Sequence, residues 1–271
     1  MEKMIEQNLG DTYAAAWSEN QGNYSEDIAD KTLKFIKLQG LKVDTVLDIC
    51  CGSANFLLKM QANGKKCTGT EILDSYIEFN KANYPDMEFV KTNTILDFDE
   101  LGKFDLITCN HDVINMLPSI YDWGNFFKKA YAHLNEGGIL IFDYYTKRKL
   151  QNWNEVYYDE SKTLEYIKHV VSDGTTSTKI SNIYYINLNP KQEDENVAVQ
   201  ERSYSFNDHE AKFKKTEDTV IEYYFENNDI LDQIKQAGYR YLIATDANFT
   251  PTNRLQDMNR AHIIAIKREQ K

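Results

Sequence analysis

Two carboxylates in the first third of the chain stand where they could hold a nucleoside. Asp48 lies in the apolar segment VDTVLDIC, and Glu71 ends the next strand-like segment, KKCTGTE, 23 residues later. Gly52 lies between them, in a turn that leads into a helical pattern. A carboxylate at the end of a strand can accept hydrogen bonds from both hydroxyls of a ribose. The spacing therefore predicts that Glu71 binds an adenosine-like ligand.

The elements that must position these side chains alternate as strand and helix. Helical patterns cover residues 75–83, which stop before Pro85, and residues 120–134. Short apolar segments without polar alternation are typical of strands that helices cover on both faces. Five such segments predict parallel strands: 43–50, 65–71, 87–93, 103–110 and 137–145.

The alternation changes after the fifth strand. Residues 146–225 contain segments of alternating polar and apolar residues with turn signals between them, which predicts an antiparallel β insert. Residues 226–271 return to the first pattern, with a helix that Asn228 or Asp229 could cap and two further strands. We predict a doubly wound, Rossmann-like core of residues 1–145 and 226–271, with a mostly parallel seven-stranded sheet.

The composition of the chain disfavours several classes of binding partner. The formal charge of -11 and the pI near 5.0 oppose binding to nucleic acid, which depends on Lys and Arg at the phosphates. We expect no membrane partner, because no segment has the roughly 18 apolar residues of a span and the first residues do not resemble a signal peptide. The four cysteines lack metal-site spacing, so we expect no metal and reduced thiols in a cytoplasmic protein.

Four motifs together resemble the class I S-adenosylmethionine-dependent methyltransferases. VLDICCGSANF has the acidic-x-x-x-Gly form of the family's first motif, and TGTEILDSYIEFNK resembles its second-strand acidic motif. KFDLITCN resembles the fourth strand, LNEGGILIFD the glycine pair before the fifth, and the insert with VQERSYSF the small-molecule branch. The resemblance implies that S-adenosyl-L-methionine is the cofactor, S-adenosyl-L-homocysteine the product, and nitrogen or oxygen of a small molecule the methyl acceptor.

The resemblance also implies roles for residues at the strand exits. Asp48 would hold the methionyl ammonium, Glu71 would bind the ribose diol, and Gly52 would let the backbone approach the cofactor. Five further positions would contact the adenine or the methionyl group of the cofactor: Cys50, Ile72, Asn93, Thr94 and Asn110. Asn110 would do so through its backbone carbonyl.

Three positions depart from the family pattern. The family often has glycine where this chain has Cys50 and Ala54, and an acid where it has Asn93. Ala54 adds a methyl group near the cofactor, which is tolerable if the turn keeps a negative φ. The side-chain oxygen of Asn93 can still accept from the adenine amino group.

The residues before the first strand have two interpretations. Residues 1–40 could form a helical lid over the cofactor, with Tyr24 as the best single contact, or a helix that packs its aromatic side chains on the core. Asp48 likewise could cap the following helix instead of binding a ligand.

A general base is needed only for an acceptor that arrives protonated. The candidates are His111, Tyr144 and His209, and for the two histidines a structural hydrogen bond is the alternative.

Two other functions remain open. The chain could be a catalytically silent S-adenosylmethionine-binding or regulatory protein, which the departures at Ala54 and Asn93 suggest. An NAD-dependent oxidoreductase is disfavoured, because Gly52 stands alone where a dinucleotide site needs GxGxxG. The tyrosine-rich insert could also join two copies of the chain as a homodimer.

Overall fold

The computed structural model of the chain describes residues 24–149, 164–172, 175–188, 197–208 and 212–268. The chain divides into two compact units, and Met1–Lys149 with Phe225–Lys271 forms the first. Leu150–Tyr224 forms the second. No helix in the described ranges has the length and apolarity that crossing a membrane requires.

A seven-stranded mixed sheet organises the first unit, in the order β10-β11-β5-β4-β1-β2-β3. The five strands from β1 to β5 pair in parallel, and β11 runs antiparallel to both β5 and β10. This confirms the predicted Rossmann-like fold with a mostly parallel sheet. The strands are β1 (Thr45–Asp48), β2 (Lys66–Glu71), β3 (Glu88–Lys91), β4 (Phe104–Cys109), β5 (Leu134–Tyr145), β10 (Tyr241–Thr245) and β11 (Arg260–Ile266).

Within the described residues, five helices of eight or more residues accompany this sheet. They are α1 (residues 24–39), α2 (Asn55–Ala62), α3 (Asp74–Asn83), α4 (Ile120–His133) and α5 (Asn227–Gln236). The predicted capping of α5 by Asn228 or Asp229 is wrong, because the helix starts at Asn227 and its N-cap is Glu226, without a side-chain cap.

The two faces of the sheet bury two separate apolar clusters. On one face Val46, Leu106 and Ile141 pack with residues of α1, α2 and α3, and we call this the α1 face. On the other face, Leu47 and Phe142 pack with residues of α4 and α5, and we call this the α4 face. Side chains alternate between the faces along each strand, so position in the strand decides which cluster a residue joins.

The second unit contains a four-stranded antiparallel sheet in the order β6-β7-β8-β9. Antiparallel strands follow the fifth strand as the alternating pattern predicted. The strands are β6 (Leu164–Ser172), β7 (Thr175–Leu188), β8 (Val197–Asp208) and β9 (Lys212–Tyr223).

Candidate cofactor site

A row of buried polar side chains crosses the α1 face at the carboxyl ends of the parallel strands and the amino end of the antiparallel β11. Each member lies an even number of residues from an apolar residue of that face: Asp48 follows Val46, Asp143 follows Ile141, and His262 precedes Ile264. Strand register aligns the row, since Asp48 pairs with Thr108 and Asp143 with His262. We call these side chains the polar row: Asp48, Glu71, Asn110, Asp143 and His262, each at most 7% exposed.

Asp48 presents a buried carboxyl group at the end of β1. Its Oδ1 accepts a 2.6 Å hydrogen bond from the Thr108 hydroxyl. Burial, and secondarily the charge of Glu71, raises its pKa to about 7, although the Thr108 bond opposes the shift. It does not cap α2, whose N-cap is Ala54 without a side-chain cap. A buried carboxyl group with a raised pKa suits a cationic ligand group, because a positive charge beside it favours the ionised form.

Glu71 holds the turn after β1 against the turn after β2. Its Oε2 accepts from the backbone N–H of Gly52 at 2.8 Å, and its Oε1 accepts from Ile72 at 2.6 Å and Leu73 at 2.9 Å. Burial raises its pKa, while the N–H donors and Lys91 act in the opposite direction. The carboxylate therefore lies beside Gly52, where the resemblance places a ribose.

The turn between β1 and α2 uses left-handed backbone at three positions. Gly52 has φ +52°, and no described atom lies within 4 Å of the position that a Cβ would take. Cys50 has φ 55° and Ala54 has φ 62°. The condition of a negative φ at Ala54 is therefore not met: the turn requires the conformation for which glycine is favoured, and that is why glycine suits both positions.

Asn80 of α3 supports this turn, and the sequence analysis missed it. It is fully buried, and its Nδ2 donates a 2.7 Å hydrogen bond to the carbonyl of Gly52. Its position on the helix was predictable, but its partner, 28 residues earlier, was not.

The residues that the resemblance places beside the adenine lie after β2 and β3. Ile72 is half-buried, whereas Asn93 and Thr94 are exposed. The backbone N–H groups of Asn93 and Thr94 both donate to Asp97 Oδ2 at 3.1 Å, which forms a compact turn. These contacts leave the side chain of Asn93 accessible to a ligand, and its role stays a prediction.

Asp143, which the sequence analysis overlooked, is the most heavily hydrogen-bonded member of the polar row. It accepts from the Tyr24 hydroxyl at 2.6 Å, from the backbone N–H of His111 at 3.1 Å and of Asp112 at 2.5 Å, and from Arg260 at 3.1 Å. Burial acts to raise the pKa of Asp143, but Arg260, and then His262 and His111, hold it below its ordinary value. Asp143 is therefore an ionised carboxylate whose charge is compensated within the protein.

Tyr24 connects α1 to this carboxylate. Its hydroxyl also lies 2.8 Å from His262 Nε2. Since Tyr24 has one hydroxyl proton and donates it to Asp143, His262 must donate through Nε2. The Arg260 guanidinium lies 5.1 Å from the ring centroid of Tyr24. The hydroxyl of Tyr24 is thus bonded at β5 and β11, and its contact with a cofactor stays a prediction.

The described residues fit a nucleoside that carries a positively charged amino-acid chain. The fit rests on the raised pKa of Asp48, the open space at Gly52, and Asn110, whose two side-chain polar atoms are buried without a hydrogen-bond partner in the part of the chain that the structure describes. No group of three or more His, Cys, Asp or Glu in the described ranges could hold a metal ion.

Comparison with known proteins identifies the family. A family model described as a methyltransferase domain matches residues 20–173, more than half of the chain. The chain belongs to the methyltransferase-domain family. This confirms the predicted methyltransferase.

Two solved structures share the fold of this chain, and one curated relative is similar to it in sequence. A S-adenosylmethionine-dependent methyltransferase from Clostridium acetobutylicum ATCC 824 has a TM-score of 0.71 at 18% identity, covering 90% of this chain and 92% of that one. An amino pentose methyltransferase from Micromonospora echinaspora, solved with SAM bound, has a TM-score of 0.64 at 17% identity over 94% and 96%. A dTDP-4-amino-2,3,4,6-tetradeoxy-D-glucose N,N-dimethyltransferase from Saccharopolyspora spinosa is 22% identical over 62% of this chain and 68% of its own length. The fold of this methyltransferase is that of the two solved structures.

The three candidates for a general base in this methyltransferase differ in their surroundings. His111 Nε2 lies 2.7 Å from the Ser25 hydroxyl, and burial, reinforced by Arg260, lowers its pKa to about 4 against the effect of Asp143. This neutral, hydrogen-bonded imidazole favours the structural alternative. His209 lies outside the described residues.

Tyr144 is not brought to the polar row. It is fully buried on the α4 face, 5.8 Å from the ring of Trp123 between centroids, and its hydroxyl donates to Asn227 at 2.9 Å. Its role as a base stays a prediction, which this position does not support. Side chains alternate along a strand, and β5 presents the preceding residue, Asp143, to the α1 face. The period of the apolar residues in LIFDYY was the signal that could have found Asp143.

Proposed function

We propose that this methyltransferase moves the methyl group of S-adenosylmethionine to nitrogen or oxygen of a small-molecule acceptor. The observation that carries the proposal is the pair Asp48 and Glu71, buried on adjacent parallel strands on either side of a turn whose Gly52 leaves space for a ligand. Ligands of open α/β sheets bind beyond the carboxyl ends of the strands, which is where this pair lies.

The residues of the site divide the binding of the cofactor between them. Glu71 accepts from the ribose hydroxyls, and Ile72 packs on the adenine. Asp48 holds the methionyl ammonium, and the open backbone at Gly52 lies against the ligand. The bound cofactor supplies a methyl group that its positive sulfur already activates, so the protein mainly has to align the acceptor and exclude water.

The two similar proteins that act on amino sugars support a small-molecule acceptor. The formal charge of -11 also disfavours nucleic acid as the acceptor. We infer that nucleotide-linked amino sugars and other amine metabolites are the first acceptors to test. A homodimer and a cover of the acceptor site by the insert remain predictions.

Calorimetric titration with S-adenosylhomocysteine tests the cofactor site. Glu71→Ala should weaken binding about tenfold or more, since hydrogen bonds to a charged acceptor are each worth about 1.5–3 kcal/mol. Glu78→Ala is the matched control, because Glu78 is exposed on α3 and should leave the affinity unchanged. A wild-type protein that does not bind S-adenosylhomocysteine would overturn the proposal.

Turnover separates the enzyme from a silent binding protein. Labelled S-adenosylmethionine should transfer its methyl group to at least one amine or hydroxyl compound in the acceptor panel. Tight cofactor binding with no methyl uptake by any acceptor would instead support the regulatory alternative.

A further inference from the structure

The carboxylate of Asp143 is fully buried in the polar row, and the protein itself occupies all of its acceptor sites. A carboxylate offers about four lone-pair sites for hydrogen bonds. Oδ1 accepts from Arg260 and from the backbone N–H of Asp112. Oδ2 accepts from the Tyr24 hydroxyl and from the backbone N–H of His111. Asp143 therefore has no site left with which to bind a cofactor or an acceptor directly.

Stability alone does not explain a buried ion pair at this place. Removing Asp143 and Arg260 from water carries a desolvation cost, and well-packed apolar side chains often stabilise a fold equally well or better. The apolar alternative is present on the same two strands, where Ile141 of β5 pairs with Ile264 of β11 in the apolar cluster of the α1 face. The change from apolar to charged side chains occurs at the end of β5 that borders the candidate cofactor site.

The turn after β4 is the part of the backbone that Asp143 holds. Its first two residues have left-handed backbone, with φ 63° at His111 and 53° at Asp112. Such a conformation at a residue other than glycine persists only where the surrounding structure over-determines it. Asp143 provides an acceptor for the N–H of each residue, so a single side chain fixes two strained positions.

One of these two N–H groups belongs to the peptide whose carbonyl is that of Asn110. This peptide is trans, and in a trans peptide the C=O points away from the N–H. Because the N–H of His111 points to Asp143 on β5, the carbonyl of Asn110 points away from β5. In the sheet order β1, with Asp48, lies on the other side of β4 from β5. The negative charge at the N–H also polarises the peptide, which makes its carbonyl a stronger acceptor.

We propose that Asp143 is a positioning residue for the cofactor: it orients and polarises the peptide between Asn110 and His111, so that the carbonyl accepts from the ammonium of the cofactor. The inference rests on the proposed function and on the contact that the resemblance implies for this carbonyl. It adds a residue of β5 that acts on the cofactor through the backbone, without touching it. Tyr24 and Arg260 in turn fix the carboxylate itself.

Asp143→Asn tests this role, because the amide replaces one acceptor atom with a donor. In either orientation of the amide, one of the two N–H groups of the turn loses its acceptor. S-adenosylhomocysteine carries the ammonium, whereas 5′-methylthioadenosine keeps the adenosine and lacks the amino-acid group. In calorimetry the variant should bind S-adenosylhomocysteine about tenfold more weakly or worse, the factor that a hydrogen bond to a charged group is worth. Its affinity for 5′-methylthioadenosine should be nearly unchanged, because Glu71 ends β2, three strands from β5.

Asp105→Asn is the matched control at the opposite end of the sheet. Asp105 also accepts from two consecutive backbone N–H groups, those of Asp44 and Thr45, but it lies near the amino ends of β1 and β4. Both variants should lower the Tm, since each loses hydrogen bonds to a carboxylate. Asp105→Asn should keep the ratio of the two affinities, whereas Asp143→Asn should change it, so lost stability cannot account for the difference.

The outcomes distinguish this inference from the proposed function. Equal weakening of both ligands by Asp143→Asn, or an unchanged affinity for S-adenosylhomocysteine, would overturn the inference while the methyltransferase site stands. If the variant does not fold, amide hydrogen exchange of the wild type tests the same point. The amides of His111 and Asp112 should be protected before any ligand is added, and protection that appears only with S-adenosylhomocysteine would overturn the inference. A wild-type protein that binds neither nucleoside would overturn the proposed function.

Discussion

Replacing Asp48 with asparagine should stabilise the unliganded protein and weaken its binding of the cofactor. Asparagine keeps an oxygen that can accept from the Thr108 hydroxyl, and it removes the ionisable group. The wild-type carboxyl is 5% exposed, and burial raises its pKa from 3.8 to about 7. The ionised form is therefore unfavourable in the folded protein, and a ligand cation is what makes it favourable.

The magnitude follows from the raised pKa. Between about pH 4 and pH 7 the folded state keeps a proton that the unfolded state releases, so stability falls as pH rises and levels off above pH 7. At about 1.4 kcal/mol for each pKa unit, the ionised carboxylate destabilises the fold by about 4 kcal/mol above pH 7 and by about half of that near pH 5.5. The advantage of Asp48→Asn in free energy of unfolding should therefore grow by about 2 kcal/mol between about pH 5.5 and pH 8.

Urea unfolding at both pH values measures this difference, and calorimetry measures the affinity for S-adenosylhomocysteine. The wild-type affinity should rise with pH up to about pH 7, and Asp48→Asn should lose that dependence. Asp105→Asn is the control, for which we expect the opposite effect on stability. Burial acts to raise the pKa of Asp105, but hydrogen bonds from Asn135 and from two backbone N–H groups lower it. Its stability contribution is present above its ordinary pKa, so the variant should be less stable near neutral pH. An Asp48→Asn protein less stable than wild type at pH 8 would refute the reasoning.

Two further substitutions probe the anchored and the open parts of the site. Arg260→Met should lower the free energy of unfolding by about 3–5 kcal/mol, because it removes the cation that pairs with the buried charge of Asp143. Arg254→Met is the control: it breaks an exposed ion pair and should cost less than about 1 kcal/mol in the same denaturation assay. Gly52→Ala and its control Gly40→Ala both place a methyl group in open space at positive φ, so each variant should lose about 1–2 kcal/mol of stability. Only Gly52→Ala should weaken the binding of S-adenosylhomocysteine. Equal affinities of the two alanine variants would contradict the placement of the ligand at Gly52.

The sheet of the first unit was predictable because its strands are short apolar segments that helices cover on both faces. The segment predicted as 65–71 is observed as Lys66–Glu71, and the one predicted as 103–110 as Phe104–Cys109. Placing Asp48 and Glu71 together followed from the rule that parallel strands end at the same edge. Local pattern and a general rule of sheet topology were sufficient for this half of the site.

The other half of the site depends on contacts between distant parts of the chain. Arg260 and Asp143 are 117 residues apart, and Tyr24 and Asp143 are 119 apart. No local pattern indicates that these residues meet, because the antiparallel return of β11 beside β5 decides it. The left-handed backbone at Ala54 was equally hidden, since alanine itself disfavours that conformation and the turn imposes it.

The polar row thus divides into two parts with different energetics. At β5 and β11 the charge of Asp143 is compensated by donors from α1, β11 and the turn after β4, although His262 Nδ1 is buried there without a partner among the described residues. At β1 and the end of β4, Asp48 has an unfavourable ionised state, and the amide of Asn110 has no partner among the described residues. Binding free energy is greatest where a ligand satisfies groups that the protein leaves unsatisfied and holds in place. Asp143 and Arg260 therefore hold the conformation in which Asn110 is available to a ligand. Without them, the turn after β4 could relax, and the side chain of Asn110 could form hydrogen bonds within the protein.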